Sequence, residues 1–300
     1  MQNDINESIV ITDEESGERL DKILANRYKE VRSRTYFQYL IEEKKVLLNG
    51  QSVKKRICPQ SGDEVEVFFT LTPEIDVKPE SIPLDILYED ADILAINKPA
   101  GMVVHPAPGN WTGTFVNALL HHCRELDATH SLRPGIVHRL DKDTSGVLIA
   151  AKNTQAQQKL IEMFAGREIY KEYLAVCVGN PGNQEINRPI GRHPVDRKRM
   201  AVIETGRPAL SIVETLSFDG KLSVVKVILA TGRTHQIRVH MKCIGTPVLG
   251  DITYGNAQAN EKFNAARQML HARLLKLNHP ITGKPLVIEA PIPSDMKAKI

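Results

Sequence analysis

The stretch Gly135-Ile-Val-His-Arg-Leu-Asp-Lys-Asp-Thr-Ser-Gly146 crowds charged and hydroxyl side chains between two glycines. Asp141 stands between Arg139 and Lys142, and neighbouring cations keep a carboxylate ionised. Such a group could act as nucleophile, base or charge stabiliser. It reads equally as an Asp that caps a turn or pairs with a neighbour. A second cluster is Thr231-Gly-Arg-Thr-His-Gln-Ile-Arg-Val-His240. A helix starting after Thr234 would turn Ile237 inward and leave Arg238 on a flank, with Arg233 and the helix N-terminus favouring an anion such as phosphate. The plain alternative is a capped helix with a solvated basic face. Tyr173, in Tyr170-Lys-Glu-Tyr-Leu-Ala-Val176, enters a strand, where a lone aromatic is usually packing. The run from Arg188 to Arg207 includes Arg192, His193, Arg197, Lys198 and Arg199. It suits a phosphate backbone, although exposed basic loops often bind nothing specific.

Several chemistries lack their motifs. The contiguous His121-His122-Cys123 does not have structural-zinc spacing, and H-E-x-x-H is absent, so no metal site is expected. There is no G-x-G-x-x-G after a strand and no G-x-x-x-x-G-K-[ST], which leaves dinucleotide and P-loop chemistry unsupported. Ser145 lies in Thr-Ser-Gly rather than G-x-S-x-G.

Positioning elements can be read around these clusters. Residues 1–16 carry five acids and no base, and are expected to be a loose acidic leader. Leu20, Ile23, Leu24 and Tyr28 recur at helical spacing, as do Tyr36, Phe37, Leu40 and Ile41 behind a Ser33 cap. Val46 to Val53 reads as a hairpin around Asn49-Gly50, and Glu64-Val-Glu-Val-Phe68 as a further strand. This helix–helix–sheet module spans residues 17–70. Pro73, Pro79 and Pro83 mark residues 71–83 as an extended linker. From residue 84 strands outnumber helices. Expected strands are 93–96, 147–151, 174–178, 209–216 and 223–229, with a terminal hairpin of 274–278 and 286–290. Helices are expected at 155–165, with a Thr154/Gln157 capping box and Gly166 as its stop, and after Thr234. The fold class is α+β, the second domain being built on a largely antiparallel sheet.

Length and composition fit two soluble domains: 300 residues, 42% hydrophobic and 25% charged. The net charge of +3 hides a local contrast, because residues 17–60 hold eleven Lys/Arg against five Asp/Glu. No signal peptide or membrane-length apolar run is visible, so the expected location is the cytoplasm. The four scattered cysteines are expected to be free.

Taken in order, four segments resemble the RluA/RluD-type pseudouridine synthases, which isomerise uridine in structured RNA. They are His138-Arg-Leu-Asp-Lys-Asp-Thr-Ser-Gly146, Lys171-Glu-Tyr-Leu-Ala-Val176, Thr231 to His240, and Gly245-Thr-Pro-Val-Leu-Gly-Asp-Ile-Thr-Tyr-Gly255. Asn97-Lys-Pro-Ala-Gly-Met-Val-Val-His-Pro106 looks like the family's opening segment, and the likeness covers residues 84–300. Arg19-Leu-Asp-Lys, the helix pair and Val46-Leu-Leu-Asn-Gly50 resemble an S4-like RNA-binding module. The resemblance implies a catalytic domain with a central cleft in which Asp141 is the essential carboxylate, Tyr173 packs on uracil and could act as a general base, and Arg238 pairs with Asp141. It implies that Arg139 helps to displace the target nucleotide, and that no cofactor or metal is needed. Arg233, His235, Arg192, Arg197, Lys198 and Arg199 are then expected to meet RNA, as are Arg19, Lys22, Arg32 and Arg34 of the module. Asp251, Asp143 and Lys142 keep structural readings. The expected partner of a monomeric enzyme is structured RNA, large-subunit ribosomal RNA ahead of transfer RNA. A non-catalytic RNA-binding protein is the alternative. A methyltransferase would need a Gly-rich strand-to-helix turn, and a glycoside hydrolase a second paired acid.

Overall fold

The computed structural model describes residues 5–28, 34–54, 56–69, 77–106, 110, 112–124, 126, 134–196 and 199–300. The chain divides into two compact units, one ending at Val77 and the other beginning at Lys78.

The first unit contains β1 (Ile5–Val10), α1 (Leu20–Arg27), α2 (Arg34–Glu42), β2 (Val46–Leu48), β3 (Gln51–Ser52) and β4 (Glu64–Phe69). Its sheet runs β1-β4-β2-β3 with antiparallel pairing. Asn49 and Gly50 both take positive φ, 51° and 76°, which is how a two-residue turn matches strand twist. The apolar faces of α1 and α2 bury Leu20, Ile23, Leu24, Phe37 and Leu40 against Val65 and Val67. Each such side chain contributes roughly 1.5–3 kcal/mol. The leader is not loose as composition implied. β1 pairs with β4, Ile9 lies opposite Val65, and Ile11 is buried while Val10 is exposed. Alternation of Ile9, Val10 and Ile11 across the strand outweighs the acidic composition. The Ser33 cap lies outside the described residues.

The second unit contains β5 (Ile86–Glu89), β6 (Ile93–Lys98), α3 (Phe115–His122), β7 (Ser145–Ala151), α4 (Thr154–Gly166), β8 (Tyr170–Val178) and β9 (Gln184–Asn187). After these come β10 (Ile190–Arg192), β11 (Met200–Val202), β12 (Leu210–Phe218), β13 (Leu222–Leu229), α5 (Gln236–Cys243), α6 (Ala257–Lys262), β14 (Leu270–Asn278), β15 (Pro285–Glu289) and α7 (Ser294–Lys297). A nine-stranded sheet is ordered β5-β6-β7-β14-β8-β13-β12-β9, with β15 alongside β14. Every pairing in it is antiparallel except that of β7 with β14. α4 packs Ala156 and Leu160 on one face of β6 and β7, and α3 packs Phe115 and Leu119 on the other. α5 packs Ile237 and Met241 against Ala175, Val225 and Val227.

Two local expectations change. α4 is capped by Asn153, whose side chain accepts from Ala156 N–H, rather than by a Thr154 box. Gly166 is the last helical residue and Arg167 takes the left-handed position, φ 62°. On the linker, 70–76 lie outside the described residues. Its described end is tied to the second unit, since Asn117 donates to the Lys78 carbonyl at 2.8 Å and Glu80 N–H to the Asn117 carbonyl at 3.0 Å. All four cysteines are free thiols, and among the described residues no helix is long and apolar enough to cross a membrane.

Candidate active site

The loop before β7 is held from several sides. His138 Nε2 accepts the Ile149 N–H of β7 at 3.0 Å, and its ring stacks on Phe164 of α4 at 4.7 Å. Burial, with Lys171 adding, pushes His138 down to about 3, so the ring is neutral with its proton on Nδ1. Fully buried Lys98, at the end of β6, donates to the carbonyls of Pro99, Met102 and Lys142 at 2.8–3.0 Å. Burial pulls its ammonium down to about 7, with the charges of Asp143 and Asp141 opposing. Gln268 donates to Thr144 Oγ1 at 2.8 Å, and Arg267 to the Asp143 carbonyl at 3.1 Å. Gly146 then enters β7 with φ 110°, where a β-carbon would run into the main chain of Ala272. That close parallel approach brings the Asp141 loop to the middle of the sheet.

Asp141 meets Arg238 of α5 at 2.8 Å. The expectation that Arg238 lies on a flank fails, because its side chain is 6% exposed. Its Nε and Nη2 donate to the two oxygens of Asp251 at 2.7 and 3.0 Å, leaving Nη1 for Asp141. A forked guanidinium shared in this way fixes the orientation of both carboxylates. Burial alone would lower the Arg238 pKa, yet the Asp251 hydrogen bonds and the Asp141 charge raise it. Burial likewise opposes ionisation of Asp251, but Arg238 and the N–H groups of Tyr254 and Thr253 hold it below the usual carboxylate range. Asp251 is closed off, whereas Asp141 keeps 19% of its side chain exposed and is the reachable carboxylate. The cation that holds Asp141 is therefore Arg238, not Lys142, which reaches Asn110 instead.

Tyr254 stands behind His235. Its hydroxyl accepts Met200 N–H at 2.8 Å and shares a hydrogen bond with His235 Nδ1 at 2.8 Å. The second His235 proton site, Nε2, lies 3.9 Å from Asp141. Burial lowers the His235 pKa, only partly offset by Asp141, so the ring is neutral at pH 7.

Asp141, Arg238 and His235 line a cavity of 100 Å³, with Tyr173, Leu229 and Leu270 as apolar walls. Among the described residues that line it, Asp141 is the one acid. Burial, then the Asp141 charge, pushes the Tyr173 phenol above its ordinary range. A protonated phenol is an aromatic wall and hydrogen-bond donor, which counts against a standing general base at neutral pH. One reachable carboxylate, an orienting arginine and a flat apolar wall suit chemistry on a planar ring joined to a polar, displaced group.

Six residues singled out in the sequence line this one cavity: Asp141, Tyr173, Arg238, Arg139, Arg233 and His235. Arg233 also donates to the Pro208 carbonyl at 3.0 Å. Arg192 and Arg199 flank the β10–β11 hairpin, Arg199 lying over the Tyr254 ring at 5.3 Å; Arg197 and Lys198 lie outside the described residues. Arg19, Lys22 and Arg34 belong to the other unit, and Arg32 is outside the described residues. Those three are not free cations. Arg19 and Arg34 hold buried Asp21 at 2.9 and 3.0 Å, and Lys22 pairs with Glu18 at 2.6 Å. Burial would raise the Asp21 pKa, but hydrogen bonds from Arg34, Arg19 and Gln38 bring it down to about 2. The sequence reading missed Asp251, Tyr254, His138 and Lys98 as positioning groups. All four lie in the quoted segments, but their partners are set by the fold.

Residues 92–242 match the model of the family described as RNA pseudouridylate synthase, and residues 18–65 match the S4 domain. The chain is 44% identical over 291 residues to the "Uncharacterized RNA pseudouridine synthase YlyB" of Bacillus subtilis, covering 96% of this chain and 95% of that protein. It is 40% identical over 300 residues to the "Ribosomal large subunit pseudouridine synthase D" of Escherichia coli O6:H1, covering 95% and 90%. The solved structure of "Human RNA Pseudouridylate Synthase Domain Containing 1" superposes with a TM-score of 0.58 at 27% identity, covering 75% of this chain and 86% of that one.

Proposed function

The chain belongs to the RNA pseudouridylate synthase family, and from that premise we propose that it isomerises uridine in large-subunit ribosomal RNA with Asp141 as the catalytic carboxylate. It is an isomerase acting on RNA, with an S4 domain ahead of the catalytic unit. The ribosomal substrate is drawn from relatives named for that activity. The same reading places the enzyme in the cytoplasm.

The observation that carries the catalytic assignment is the Asp141–Arg238 pair at the mouth of the cavity. Isomerisation breaks the N1–C1′ bond, turns the base, and joins C5 to C1′. The C5 proton leaves and N1 gains one, so nothing is oxidised or transferred to another molecule. An ionised Asp141 serves either by bonding to the sugar or the pyrimidine, or by taking the 2′-hydrogen to give a glycal. A 2′-deuterated target separates the routes, because only the second breaks that bond. Arg238 aims the carboxylate, while Tyr173 packs on the detached ring and limits its excursions. Exposed Arg139, at the rim, fills the place of the extruded nucleotide.

The test is to map pseudouridine in ribosomal and transfer RNA from cells carrying the normal chain, no chain, or Asp141→Asn. Large-subunit sites should vanish in the last two, with the purified variant still binding RNA. Sites lost from transfer RNA alone would move the substrate there, and persistence with Asp141→Asn would remove Asp141 from its role.

A further inference from the structure

A groove of 480 Å³ adjoins the catalytic cavity and shares Arg139, Tyr173, Leu229, Gly232 and Arg233 with it, so the two form one continuous depression. Five cations line the groove, Arg139, Arg167, Lys171, Arg207 and Arg233, and no acidic side chain does. They come from separate places in the chain: the catalytic loop, the left-handed cap of α4, β8, the turn before β12 and the approach to α5. Among the described residues, no carboxylate lies within ion-pair distance of Arg167, Lys171 or Arg207. Elsewhere the chain neutralises its arginines readily, as Arg27–Glu15 and Arg267–Asp295 do. The cations feel one another. Burial and then the Arg167 charge lower the Lys171 pKa, and burial followed by Arg207 and Arg167 lowers that of Arg233. Like charges converging without a counter-charge focus a positive potential that is relieved only by an anion.

We propose that this groove is the track for the RNA backbone beside the target nucleotide, with Arg167 and Arg207 gripping phosphodiesters next to the uridine held in the cavity. The occupant is RNA on charge complementarity and on continuity with the cavity, and the proposal rests on the isomerase reading. The two arginines are exposed and reach outward, while 8%-exposed Lys171 charges the floor.

The experiment compares the full chain with Arg167→Gln/Arg207→Gln and with a control, Lys221→Gln/Lys284→Gln, which removes two exposed lysines outside the groove. RNA binding is measured across salt concentrations, together with KM and kcat on one ribosomal RNA fragment. Each lost phosphate contact on a single strand flattens the log–log salt slope by roughly 0.7, so the double variant should lose roughly 1.4. KM should rise about tenfold at unchanged kcat, and the control should match the parent. A methylphosphonate placed beside the target uridine should weaken binding by the parent chain but not by the groove variant. An unaltered slope and KM, or equal methylphosphonate sensitivity in both proteins, overturns the track. Failure of the parent chain to convert any uridine, with the slope difference intact, would strike the isomerase reading and leave the groove as an RNA site.

Discussion

At the scale of the residue, the arrangement turns on a division between two carboxylates that share one arginine. Asp251 is sealed and takes two of the guanidinium donors; Asp141 is reachable and takes the third. Asp251→Asn keeps the side chain's shape but removes the charge that aims Arg238. The expected outcome is a fall in kcat on the order of a hundredfold with KM within about twofold, as a misplaced orienting group should give. Equal losses in both, with a fall in thermal stability, would make Asp251 a packing residue only. The phenol of Tyr173 adds a pH criterion. With its pKa raised by burial and by Asp141, it stays protonated through the neutral range. The rate should therefore show no rise from about pH 7 to 9, and a fall there belongs to Lys98, whose ammonium is pulled down to about 7. Were phenolate the working base, kcat would climb about tenfold per pH unit over that interval.

Elements supply what the residues cannot supply alone. β7 is buried along its whole length and leaves the catalytic loop through Gly146, which lies against Ala272 of β14. Gly146→Ala combines a positive-φ penalty with a backbone collision, so β7 and β14 must part. A melting temperature lowered by several degrees and a loss of activity larger than the loss of folded protein are expected, from calorimetry beside single-turnover assays. An unchanged protein would show that the parallel contact does not set the loop. Other elements explain what sequence patterns conceal. In α3, residues 115–120 are buried on every side, so no polar face marks its period, and no helix was expected there. β10 and β11 hide in a basic run because three-residue strands carry almost no alternation. β12, β13 and the β14–β15 hairpin were legible because their apolar runs are long and bounded by turns.

Across the whole molecule, two units with their own cores divide the work proposed here. The second unit begins at Lys78, and the Lys78 carbonyl and Glu80 N–H bond Asn117 within it, so a chain starting at Lys78 keeps these anchors. The shortened chain should fold, convert saturating RNA at near the full kcat, and bind RNA more weakly with a flatter salt dependence. Filter binding and single-turnover conversion on the same RNA check both halves. Equal affinity at every salt concentration would give the S4 unit another purpose. In that unit Arg19 and Arg34 share Asp21 and Lys22 faces Glu18, so these three cations bring two negative charges with them.

The order of motifs, the periodicity of long apolar stretches and the basic stretch behind an acidic leader belong to the linear chain, and they sufficed for the family, the fold class and the carboxylate to watch. Local rules read such features because they depend on neighbours within a few positions. Tertiary structure alone decided that Asp251 takes the other two donors of Arg238, that Lys142 turns to Asn110 rather than to Asp141, and that Ile5–Val10 is a strand. It also decided that five distant cations face one groove. Those outcomes depend on which strand lies beside which, and burial then fixes the charge and direction of each group in a way that spacing along a chain does not encode.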